Sequence, residues 1–240
     1  MSGLIQKRDF PKSIDPSLLL LYGAKKAGKT TMLSELDDCL IIDTEKGAKF
    51  ISGTIAEVTN LGDLRELTMH LAEEMKSGKS PYKYIAIDTI NKVVDWIEEA
   101  IVIDHNNNSN SKINYFGDLA FGKGHGMVRE KVNKLLDTFM HFCDCLVITG
   151  HNKLAQALSE NSTLVDPQSL DLTGKLKNMI MAKCDSIGYV FREDEKLKIS
   201  FEANNALEAG SRSPHLKGQT IDFSWDNIFK NNNVKQQEAA

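Results

Sequence analysis

Apolar residues fall along this chain in short runs separated by stretches of helical spacing. Residues 18–22, 39–43, 84–88 and 146–150 are nearly continuous apolar runs that end in Gly, Asp or other polar residues. Runs of that length read as strands buried on both faces. Between them apolar residues recur every third or fourth position. Leu64, Leu67, Leu71 and Met75 form one set, and Val93, Ile97 and Ile101 a second. Val128, Val132, Leu135 and Phe139 form a third, in an amphipathic helix over 127–142. A shorter helix is predicted from Lys29 to about Asp37, and a weaker strand over 55–59. Strands alternating with helices predict an α/β fold, a mainly parallel sheet flanked by helices. Two later runs, 185–191 and 197–201, are joined by charged residues and predict an antiparallel hairpin at one edge. The stretch 105–112 is polar and aperiodic and is expected to be an exposed loop. Residues 1–12 and 231–240 read as an N-terminal arm and a flexible tail around one domain over 13–230.

Composition narrows this picture. A chain of 240 residues, 41% hydrophobic, can bury one sizeable core. Its formal net charge of −4 gives no global basic field, so a nucleic acid would have to be held by local basic loops. Cys39, Cys143, Cys145 and Cys184 show neither zinc nor disulfide spacing, as expected for reduced thiols in the cytoplasm. No stretch reaches the length of a membrane span.

The chemistry begins where the first strand ends. Gly23-Ala24-Lys25-Lys26-Ala27-Gly28-Lys29-Thr30, followed by Thr31, is a G-x-x-x-x-G-K-T phosphate-binding loop between a strand and a helix. Its glycines let backbone N–H groups approach phosphate oxygens. Lys29 is expected to reach the β- and γ-phosphates of ATP, and the Thr30 hydroxyl to ligate Mg²⁺. Three further strand ends should lie beside it, where open α/β sheets take their ligands. The strand ending Asp88-Thr89 offers Asp88 to Mg²⁺. The strand ending Asp43-Thr44-Glu45 offers Glu45 as the base that orients water, with Asp43 structural. The strand ending Gly150-His151-Asn152 offers His151 as a reporter of the γ-phosphate.

That order of strand ends resembles the RecA/RadA-type ATPase core, and especially the small phage proteins of the Sak-type single-strand annealing class. The resemblance covers about Ser13 to Trp225. It implies an ATPase acting on single-stranded DNA in phage-type recombination, annealing or replication, in the host cytoplasm. It also implies assembly into a ring or filament, with a recombination or replication protein as a further partner. Two loops would face DNA. The first, near 106–126, carries Lys112, Tyr115, Phe116, Phe121 and Lys123, the basic and aromatic residues that single strands require. The second, near 153–175, is polar and acidic, with Lys153, Lys175 and Lys177 flanking it. A cation from a neighbouring subunit would touch the γ-phosphate; Arg212 is the first choice, ahead of Lys196, Lys198 and Lys217. Unlike the cellular recombinases, the chain is expected to carry neither an extra N-terminal DNA or oligomerisation domain nor a large C-terminal one, and full strand exchange is therefore not part of what the resemblance implies. The alternatives are an ATP-dependent factor that binds a protein partner and, less favoured, a small-molecule kinase.

Overall fold

The computed structural model describes residues 13–76, 78, 82–153 and 168–230. The expected arm, the tail and residues 154–167 of the second expected loop lie outside them. One nine-stranded sheet organises the rest. In chain order its strands are β1 (Leu18–Gly23), β2 (Cys39–Asp43), β3 (Thr54–Glu57), β4 (Tyr84–Asp88), β5 (Cys145–His151), β6 (Ser186–Glu193), β7 (Lys196–Ser200), β8 (Gly210–Ser211) and β9 (Thr220–Asp222). They lie in the order β3-β2-β4-β5-β1-β6-β7-β9, with β8 on the free end of β6. Strands β1 to β6 pair in parallel, and β7, β8 and β9 add antiparallel partners.

Helices cover both faces because the strands are apolar on both. In β1, Leu18, Leu20 and Tyr22 face one cluster while Leu19 and Leu21 face the other. The first cluster is covered by α2 (Leu61–Met75), α3 (Ile90–Asn108), α4 (Lys123–Met140) and α5 (Gly174–Lys183). The second lies under α1 (Lys29–Ser34) and α6 (Trp225–Ile228). Trp225 donates its indole N–H to Met32 O at 2.7 Å, which ties those two short helices together. The first and last described segments also meet: the Lys230 N–H donates to the Asp15 carboxylate at 2.8 Å. Among the described residues no helix is long and apolar enough to cross a membrane.

Several boundaries differ from expectation. α3 continues to Asn108, so the first half of the expected 105–112 loop is helix. Asn106 satisfies the backbone of Ile113 in both directions, at 2.8 and 2.9 Å, and this turns the chain without a ladder. In α4 the buried stripe is Val128, Val132, Leu136 and Phe139; Leu135 packs only at its margin. α1 stops at Ser34, short of Asp37. The hairpin spans Ser186–Glu193 and Lys196–Ser200, closed by Asp194 and Glu195 at φ 48° and 64°. Two consecutive left-handed residues give a tight turn whose twist matches the strands.

Candidate nucleotide site

The site is built at the C-terminal ends of β1, β2, β4 and β5. At the end of β1, a Cβ on Gly23 would collide with the Val190 carbonyl of β6, so only glycine lets these strands meet there. The loop then turns through Lys26 at φ 64° and Gly28 at φ 113° and enters α1. Lys29 is buried, 6% exposed, and its ammonium donates to Gly23 O at 2.9 Å and Ala24 O at 2.8 Å. Burial lowers its pKa, and the nearby Asp88 and Glu45 carboxylates raise it part of the way back. Ala24, Lys25, Lys26 and Thr31 are exposed around it, and Ala27 is half-buried.

The carboxylates come into place through sheet register. Asp43 pairs with Asp88 across β2 and β4, and Gly23 with His151 across β1 and β5. Thr30 Oγ1 donates to Asp88 Oδ2 at 2.6 Å, and Thr149 Oγ1 to Asp88 Oδ1. Asp43 accepts from the N–H groups of Glu45 (3.1 Å), Gly47 (3.1 Å) and Ala48 (2.8 Å), so it shapes the turn that presents Glu45. Glu45 Oε1 accepts from Thr89 Oγ1 at 2.9 Å and faces His151 Nε2 at 3.0 Å. The Asp88–Thr89 peptide is cis. Asn91 holds the His151 N–H at 3.0 Å and donates to Asp171 O at 2.7 Å. Asp171 N–H in turn reaches His151 O at 2.8 Å. The histidine thus stands between the candidate base and the segment that leads into α5.

A family model described as an AAA domain matches residues 16–213. The chain belongs to this AAA domain family. Membership makes it a nucleotide-binding ATPase domain of P-loop type. No curated protein matches it.

The AAA domain's residues fit a nucleotide and a divalent cation. Lys29 is a buried cation whose ammonium donates to the carbonyls of Gly23 and Ala24, which a phosphate oxygen can replace. Thr30 and Asp88 are hard oxygen donors already in contact, the kind of pair that a small divalent cation takes. Other expected residues lie elsewhere. Arg212 is braced at the opposite end of β1: it pairs with Asp185 at 3.5 Å and donates to Ala182 O at 2.8 Å, while Asp185 accepts from Ser17 and Leu18 N–H. A nucleotide contact is open to Arg212 only across a subunit boundary.

In the first loop, Phe116 is 2% exposed and packs beside His125 at 4.9 Å. It is a core residue, and the expectation that it touches DNA is corrected. Lys112 donates to Asn106 O and Ser109 O and so caps the end of α3. Tyr115 is half-exposed and leans on Phe116. Phe121 is wholly exposed at φ 57°, and Lys123 opens α4 beside it in solvent. Lys153 and Lys175 are exposed, whereas Lys177 pairs with Glu208 at 2.6 Å. Thr149 and Asn91 join the site unforeseen as positioning groups, and Thr89, expected beside Asp88 at the cation's shell, donates its hydroxyl to Glu45. Their one sequence signal is that each sits on or just past a strand end.

Proposed function

We propose that this AAA domain hydrolyses ATP with Mg²⁺ and uses the state of the γ-phosphate to control its hold on single-stranded DNA. Recombination, annealing or replication of the phage type it resembles would be the setting. One observation carries the reading. Lys29, Thr30, Asp88, Glu45 and His151 converge from four strand ends on one side of the phosphate loop.

Each residue has a role that its contacts support. Lys29 leaves the Gly23 and Ala24 carbonyls for phosphate oxygens, which restores the charge partner that burial denies it. Thr30 and Asp88 would hold Mg²⁺, which would supply charge neutralisation at the phosphates. Glu45 orients the attacking water and accepts its proton. His151 occupies Glu45 until phosphate competes for its Nε2. That exchange moves Asp171 and the chain entering α5. Phe121, Tyr115 and Lys123 supply stacking and charge for a strand. Assembly of several copies would bring Arg212 to a neighbour's nucleotide.

The test is ATP turnover with and without single-stranded DNA, at several protein concentrations, for wild type, Lys29→Ala and Glu45→Gln. Expected are DNA stimulation, a fall in specific activity on dilution, and loss of about 10²-fold or more in both variants, with Glu45→Gln still binding nucleotide. Turnover that DNA does not change would favour the alternative of a protein partner. Turnover unaffected by Glu45→Gln would sink the mechanism.

A further inference from the structure

The nucleotide site described so far has one wall. Glu45, Asp88 and His151 all stand on the β5 side of β1, and they mark where the terminal phosphate belongs. A nucleoside triphosphate threaded on the loop with that end toward β4 and β5 must carry its sugar and base toward β6 and β7. That side is furnished. Val190 of β6 is buried on the α1 face, and Arg192, two residues further along the strand, projects to the same face. Leu197 of β7 lies directly opposite Arg192 in the hairpin register. Both side chains meet the phosphate loop: a Cβ built on Gly28 would lie 3.5 Å from Arg192 Nη2 and 3.6 Å from a Leu197 methyl.

The arrangement is held in place. Arg192 Nη1 donates to Glu195 O at 3.0 Å, and Glu195 occupies a left-handed position in the tight turn. No carboxylate pairs with Arg192 among the described residues, whereas its neighbour Lys198 is tied to Glu193 and Asp222. An exposed, planar cation and a branched apolar side chain therefore stand together beside the loop, in the same chain. That is the surface a flat aromatic ring takes: one face on a guanidinium, its edge on methyl groups.

We infer that Arg192 and Leu197 form a nucleobase subsite in cis, with the Arg192 guanidinium stacked on the base of the nucleotide whose phosphates the loop holds. The inference rests on the nucleotide reading of the loop and goes beyond it by assigning the other end of the ligand.

Calorimetric titration of the full chain with ADP and, separately, with inorganic tripolyphosphate tests it. Arg192→Ala is expected to weaken ADP about 10-fold and tripolyphosphate less than about 2-fold. Arg192→Lys should recover little of the loss, because an ammonium keeps the charge without the plane. Equal losses for both ligands would make Arg192 a phosphate clamp and overturn the subsite; unchanged ADP affinity would overturn it too. Lys29→Ala separates the two readings. If it loses both ligands while Arg192→Ala binds as wild type, the loop stands and the subsite falls. If the wild type binds neither ligand, both fall.

Discussion

At the scale of single residues, three side chains sit where stability alone would not put them. Lys29 is a buried ammonium with its pKa lowered by burial, so without nucleotide it costs the fold. Lys29→Met is expected to unfold at or above the wild-type temperature in the absence of ligand. It should show none of the stabilisation that nucleotide gives the wild type, about 2.7 kcal/mol at a hundredfold excess over Kd; a thermal scan with and without ADP decides it. Phe121 is an exposed aromatic in a left-handed conformation. Phe121→Gly should keep stability to within about 1 kcal/mol, since glycine takes that conformation freely. The same change should weaken single-strand binding several-fold in an anisotropy titration. Glu98, on α3, is pushed up to about 7, first by burial and then by the neighbouring Asp95. Between pH 4.5 and 7 the folded chain keeps a proton that the unfolded chain has released, so stability falls as pH rises through that window. Glu98→Gln should therefore exceed wild type by about 1 kcal/mol at pH 8, allowing for solvent at this partly exposed site, and match it at pH 4. Urea unfolding at both values is the check.

At the scale of elements, the parallel strands were legible because a strand buried on both faces has nothing to alternate with. Leu18 to Tyr22 is such a run, and every one of its residues is buried in β1. The site residues at strand ends were legible for the same reason: once β2, β4 and β5 are drawn, Glu45, Asp88 and His151 follow from where their apolar runs stop. What could not be read is register. Nothing in one dimension says that Arg192 faces Leu197, or that Thr149 reaches Asp88. α5 was missed because only Leu176 and Ile180 of its ten residues are fully buried, among lysines and partly buried methionines that blur the period. The long helix α4 is an amphipathic element whose buried stripe ends on an aromatic in the last turn, Phe139. Phe139→Ala is expected to cost about 3–5 kcal/mol by chemical unfolding, with the nucleotide affinity of the surviving folded fraction unchanged.

At the scale of the whole molecule, the two ends of the sheet have different work. The C-terminal ends of the parallel strands carry the phosphate loop and its partners. The opposite end is braced by Asp185 on Ser17 and Arg212, and by Asp15 on Lys230. The contact between residues 15 and 230 has a consequence for the order of the chain. Where two points so far apart in sequence touch, the path between them closes on itself and can be entered elsewhere. A permuted protein, with residue 230 joined to residue 15 by a short Gly/Ser linker and new termini at the Asp194–Glu195 turn, would retain every strand neighbour in the sheet. It would turn the β6–β7 hairpin from the most local pairing in the molecule into the most distant, so that its folding rate, set against that of the parent, would measure how much of the assembly waits for that one turn.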